Sequence, residues 1–201
     1  MSEFAYKRMT VDEFLVWDDG TDTRYELIDG VPVAMAPTYG GHQIIAANFG
    51  RHLANTLDAR PPCHVRSEAG ILKPNSIRTY FQGDLAVTCS PHEAGQYAIP
   101  NPVVIVEILS PSTEADDRKV KLPVYRSIPS VQEIVLVHSE RLYAEVHRRL
   151  DDTRWQVDLL TEPEDVLRLD SVGYAQPLAL LYANVDLGKS PTTVASGESS
   201  L

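Results

Sequence analysis

Two acidic residues stand where acidic residues are costly. Glu107 lies inside Val103-Val104-Ile105-Val106-Glu107-Ile108-Leu109, a run that is otherwise apolar and mostly β-branched. Asp84 precedes the apolar segment Leu85-Ala86-Val87. A carboxylate removed from water is unfavourable unless it is paired, hydrogen-bonded or bound to a cation. Two hard carboxylate oxygens at strand ends suit Mg2+ or Mn2+, which prefer oxygen ligands and retain waters for exchange. A metal so held can lower the pKa of an attacking water and stabilise charge on a phosphate. Ser110, Ser112 and Thr113 follow Glu107 closely, yet no G-x-S-x-G elbow surrounds them, and turn formation and helix capping account for them better than nucleophilic attack.

The elements that must carry these acids are legible from pattern. Thr10 and Glu13 have capping-box spacing before a short helix with Val11, Phe14 and Leu15 on its apolar stripe. Two strands, 24–28 and 31–35, flank Asp29-Gly30, a tight hairpin turn. Ile45, Phe49, Leu53 and Leu57 recur every four residues and predict an amphipathic helix over 42–57, starting at His42. His42 could touch a phosphate or a catalytic water, though a local bond at that helix start is the more ordinary role for such a histidine. Segments 64–72, 80–88 and 103–109 read as strands, the last covered on both faces. Thr113 and Asp116 suggest a second capping box, opening a helix that Pro123 should kink or shorten. Strands over 131–137, 142–148, 155–160 and 166–169 and a short helix near 176–181 complete the pattern. Helices on the faces of a mixed sheet define an α/β, or α+β, domain.

The whole chain sets further bounds. At 201 residues and 22.3 kDa it suits one domain, spanning 1–187, with a polar tail over 188–201 expected to be disordered. No apolar run is long enough to span a membrane, and the first ten residues lack a secretory h-region, so a cytoplasmic location is expected. Cys63 and Cys89 have no metal-ligand spacing and are expected as two reduced, half-buried thiols. Eighteen Lys and Arg face 28 Asp and Glu, for a formal charge of −10. That balance weighs against coating nucleic acid with a broad basic surface, because such binding needs many cations displacing phosphate counterions. Arg141, Arg148, Arg149 and Arg154 are interleaved with Glu140, Glu145, Asp151 and Asp152, and read as a solvated hairpin. His64, His138 and His147 show no ligand spacing.

The segments Tyr25-Glu26-Leu27-Ile28-Asp29-Gly30, Asp84-Leu85-Ala86-Val87 and Val106-Glu107-Ile108-Leu109-Ser110-Pro111-Ser112-Thr113 together resemble small bacterial restriction-endonuclease-like proteins of the PD-(D/E)XK superfamily. Val33, Met35, Pro37, His42, Asp117, Lys121-Leu122, Tyr125 and Val131-Gln132-Glu133 extend the resemblance over roughly residues 8–187. It implies a restriction-endonuclease-like fold, with Asp84, Glu107 and the backbone carbonyl of Ile108 as ligands of Mg2+ or Mn2+. Glu26 matches an upstream acid directed at the same cluster, although in a hairpin strand it could equally face solvent or pair with Arg24. Gly83 departs from the proline of the superfamily pattern. Leu109 stands where E-x-K would place lysine, so the resemblance moves that role to Lys121 on the following helix. Asp117, Lys121 and Tyr125 share one helical face there, while Lys119 points elsewhere. The alternative for Lys121 is a surface pair with Asp117.

The resemblance therefore implies a metal-dependent endonuclease acting on DNA, contacting it locally and as a homodimer if both strands of a duplex are cut. The acidic balance and the missing E-x-K lysine motivate a second expectation, a catalytically inactive nuclease-fold binding or regulatory module.

Overall fold

The computed structural model describes residues 8–38 and 40–188. The tail expected from 188 onward lies, apart from Gly188, outside them. Among the described residues one eight-stranded sheet forms the centre. Its strands are β1 (Tyr25–Ile28), β2 (Val31–Ala34), β3 (His64–Leu72), β4 (Tyr80–Thr88), β5 (Pro102–Leu109), β6 (Glu133–His138), β7 (Ala144–Arg149) and β8 (Trp155–Leu160). The order is β2-β1-β4-β5-β6-β7-β8, with β3 also on β4. Only β5 and β6 run parallel, the helical segment between them serving as crossover. The sheet is thus mixed, as the sequence predicts, and mostly antiparallel.

Local chemistry explains the elements. Thr10 and Glu13 make the full reciprocal capping box of α1 (Val11–Leu15). Asp29 and Gly30 both have positive φ, 47° and 87°, the conformation that a two-residue hairpin of this hand requires. On α2 (Gly40–Leu57), Ile45, Phe49, Leu53 and Leu57 are buried against one face of the sheet. A second layer, with Leu122 and Tyr125, covers the other face. β5 is covered on both: Val104, Val106 and Ile108 face the α2 layer, and Ile105 and Leu109 face the other. Period-two alternation therefore aims Glu107 at the second layer.

Three expectations change. Thr113 forms no capping box; it is helical, and its Oγ1 accepts from Ser110 N at 3.3 Å. The chain then runs through a short α3 (Glu114–Asp116), a π turn (Asp117–Lys121) and α4 (Leu122–Ser127). Pro123 sits in the first turn of α4, where its missing N–H is tolerated, and the irregularity expected of it appears as the wider turn before it. The helix expected near 176–181 is instead β10 (Tyr174–Pro177), paired with β9 (Val166–Leu169), followed by a 3-10 turn (Leu178–Leu180). Finally, Cys63 and Cys89 are joined as a disulfide. They lie one step beyond the His64–Thr88 pair of the β3–β4 ladder, so antiparallel register sets them opposite each other.

Candidate active site at a fork in the sheet

β3 occupies one edge of β4 along its whole length. The other edge is shared: β1 meets it at Tyr80, and β5 meets it from Leu85 onward. Between these contacts β1 and β5 splay apart and leave backbone N–H groups without strand partners. Buried amides must be paired, and here carboxylates do it. Glu26 on β1 accepts from Gln82 N at 2.8 Å. Asp84 Oδ2 accepts from Ile108 N at 2.6 Å. Because the N–H and C=O of one strand residue point to the same edge, the Ile108 carbonyl also faces the fork.

The fork coincides with an inversion of the β3–β4 pair. Ala69, Ile71 and Phe81 pack into the layer of α4, whereas Val65, Leu85 and Val87 pack into that of α2. Regular alternation would keep each strand's set on one side. The ladder skips the Glu68–Asp84 pair, and Glu68 has φ +49°. Asp84 therefore sits where the strand changes faces, and its carboxylate lies along the sheet edge. The glycine before it gives room to the core: a Cβ at Gly83 would lie 2.9 Å from Ile71 Cδ1, so that side chain would have to shift.

Lys121 closes the cluster. Its Nζ lies 2.9 Å from Glu26 Oε1, 3.2 Å from Asp117 Oδ1 and 3.4 Å from Glu107 Oε1. Tyr125 donates its hydroxyl to Glu107 Oε1. Lys121 and Asp117 are buried, so the surface-pair alternative for Lys121 does not hold, and neither does solvent exposure for Glu26. Lys119 is exposed. His42 lies three residues before Ile45 on the buried stripe of α2, and its Nε2 stands 3.2 Å from Asp84 Oδ2. It belongs to the site instead of making the more ordinary local bond at the helix start.

Charge is unbalanced here. Three carboxylates surround one ammonium, and a fourth, Asp84, pairs with His42. Burial pushes the Glu107 carboxyl well above the usual carboxylate range; Lys121 pulls it down, while Asp117 and Asp84 push it further up. Burial likewise raises Asp117, against the pull of Lys121. Burial alone would lower Lys121, but Glu107, Glu26 and Asp117 outweigh it and hold the ammonium charged. Burial and the neighbouring Glu107 raise the Tyr125 phenol, which stays protonated as a donor.

A divalent cation suits this donor set. Among the described residues the hydrogen bonds and ion pairs of the two central acids fall on Asp84 Oδ2 and Glu107 Oε1, leaving one oxygen of each. No three His, Cys, Asp or Glu side chains among the described residues form a metal-ligand group. The set that fits is smaller, two carboxylates with the Ile108 carbonyl, and Mg2+ is commonly held by one or two carboxylates plus water. A cavity of about 150 Å³ lies between Glu26, His42, Asp84, Glu107 and Lys121.

The other candidates go elsewhere. Arg148 pairs with Glu133 and Asp158. Arg149 donates to the carbonyls of Arg126, Ile128 and Val131, and Arg154 pairs with Asp151. These arginines tie the hairpin and helix end together. His147, which lacks ligand spacing, instead bridges Glu145 and Arg126.

The fold is that of a nuclease-like protein with a mixed central sheet. The chain belongs to the family described as "Uma2: Putative restriction endonuclease", whose model matches residues 11–180. Two proteins of Synechocystis sp. are similar to it. "Uncharacterized protein slr1290" is 28% identical over 178 residues, covering 88% of this chain and 93% of that one. "Uncharacterized protein sll1609" is 28% identical over 159 residues, covering 78% and 88%. The crystal structure of "a putative nuclease belonging to DUF820" from Anabaena variabilis superposes with a TM-score of 0.67 at 18% identity, covering 87% of this chain and 98% of the other. The restriction-endonuclease-like fold expected from the sequence is the fold of the chain.

Proposed function

We propose that the protein is a metal-dependent endonuclease that hydrolyses DNA phosphodiester bonds at the fork. The observation that carries this reading is the convergence of Glu26, Asp84, Glu107, Asp117 and Lys121 from three strands and a helix, in a chain of a restriction-endonuclease family. Asp84, Glu107 and the Ile108 carbonyl would hold Mg2+ or Mn2+. When bound, that ion supplies charge stabilisation at the phosphate and acidifies a water. The chain's own residues do the rest. Lys121 offers a fixed ammonium at the edge of the cavity, where charge develops in the transition state. Glu26 and Asp117 keep that ammonium protonated and aimed. Tyr125 orients Glu107, and His42 holds Asp84. DNA is contacted locally, in keeping with the net charge of −10. A homodimer would place two such sites on opposite strands. The cytoplasm is the compartment proposed; among the described residues no helix is long and apolar enough to cross a membrane.

A specific observation favours a second reading, a nuclease-fold binding module without catalysis. Lys121 and Tyr125 already occupy Glu107 Oε1, so the cluster has internal partners without a metal. Purified protein should cut or nick DNA only when Mg2+ or Mn2+ is added, and Glu107→Ala should abolish this. No cleavage across single-stranded, duplex and branched DNA would leave the binding module as the better account.

A further inference from the structure

A second, larger cavity of about 440 Å³ opens from the same fork on the α2 side, and His42, Gln82 and Asp84 line both spaces. The smaller space has room for an ion, its waters and phosphate oxygens. The larger one lies within the range of roughly 300–1,000 Å³ found for small-ligand sites. Met35 and Pro37 give it apolar wall, and Gln43 and Arg24 give it polar wall. We propose that this cavity takes one unpaired nucleotide adjoining the bond to be cut, so that the preferred substrate is single-stranded or locally opened DNA. The inference rests on the nuclease reading of the fork.

Three observations carry it. First, one lining residue of the cavity has its backbone in a sparsely populated conformation. Glu68, at φ +49° inside a strand, lies beside Asp84 where the β3–β4 ladder skips a pair. Such outliers persist where the surrounding structure over-determines them, and they cluster at ligand sites. Second, the Glu68 side chain holds a cation at the wall. Arg24 Nη1 lies 2.6 Å from Glu68 Oε1, with both side chains about half exposed. A pair so wetted contributes little to stability; it leaves a planar guanidinium among the lining residues of the cavity, a group able to stack on a base or bind a phosphate. Third, the charge of −10 removes the usual means of gripping a duplex along its backbone. A base inside an intact stack cannot enter a cavity, whereas an extruded or unpaired base can. Affinity would then come from contacts to one nucleotide rather than from many phosphates.

The test is binding of a fluorescent single-stranded oligonucleotide, of its duplex and of deoxynucleoside monophosphates, followed by anisotropy and calorimetry in Ca2+ so that cleavage does not intervene. Arg24→Ala removes the held guanidinium, and Ala46→Leu, on a cavity-lining turn of α2, fills the space while keeping every carboxylate in the chain. Tighter binding of the single strand than of the duplex is expected, weakened at least about tenfold by each variant. Equal or tighter binding of the duplex, or unchanged affinity in Ala46→Leu, overturns the proposal. Because binding is read without cleavage, a protein that binds nucleotides in this Arg24-dependent way yet cuts nothing would refute the hydrolytic reading and leave the subsite standing.

Discussion

Glu107 faces three opposing demands at once: β5 buries it, Lys121 and Tyr125 hydrogen-bond it, and Asp84 and Asp117 repel it. The sign of the consequence follows from its raised pKa. In the metal-free protein Glu107 and Asp117 favour the fold while protonated, so their contribution is full below the ordinary carboxylate value and lost as pH rises through the raised one. A cation at the fork requires the ionised form, so its binding must release protons and strengthen as pH rises. Calorimetry of Mn2+ binding in buffers of different ionisation enthalpy measures this directly: the heat should track the buffer in the wild type and much less in Glu107→Gln. Heats independent of the buffer would mean that Glu107 is already ionised. At this scale the sequence was informative about Glu107, because period-two alternation in an apolar strand leaves a carboxylate few structural roles. It was less so for His42, whose position on the stripe of Ile45 and Phe49 was visible, although the partner it would meet was not.

The helical segment that carries Asp117, Lys121 and Tyr125 is held from β7. Arg118 makes a bidentate ion pair with Glu145, at 2.7 and 2.9 Å, and a further one with Glu114 at 2.9 Å. Arg126 donates to His147 Nδ1 at 2.8 Å, which places the His147 proton on Nε2, facing Glu145 Oε2 at 3.1 Å. The residues immediately after Asp117 and Tyr125 are thus both anchored on alternate residues of one strand. Burial would raise the Glu145 carboxyl, but the bonds from His147, Arg118 and Tyr143 outweigh it and hold it far below its ordinary value. Glu145→Gln should cost about 2–4 kcal/mol, somewhat less than loss of a fully buried pair because Arg118 keeps Glu114 and some water. Urea denaturation measures that loss, and cleavage should fall alongside it as Lys121 loses its fixed position; a change under about 0.5 kcal/mol would show that packing alone holds the segment. Elements were the most legible level, since helix and strand periods differ. The face change at Glu68 and Asp84 was not legible, because it depends on which of two layers each half of β3 and β4 meets. The π turn was visible only as the disruption expected from Pro123.

For the whole molecule, the disulfide and the net charge matter most. Cys63 and Cys89 are separated by 26 residues and close the end of the β3–β4 ladder away from the fork. Their pairing was not legible because it needs the register of two strands, which spacing along the chain does not supply. Reduction, or the double change to Ser, should lower stability by about 2–4 kcal/mol. Thermal denaturation with and without reductant tests this, and the fork should keep its metal affinity because Asp84 lies five residues, roughly 17 Å, along β4 from Cys89. The net charge of −10 argues against broad backbone contact, and the fork with its two cavities is where the proposed local contact would be made.

Whether Asp84, Glu107 and the Ile108 carbonyl form a divalent-cation site is best decided by anomalous diffraction from crystals soaked in Mn2+. One strong peak is expected within about 2.5 Å of a carboxylate oxygen of each acid and of the Ile108 carbonyl, absent in Asp84→Asn. Well-diffracting crystals with no peak at the fork, and Lys121 still seated on Glu26 and Glu107, would contradict that assignment.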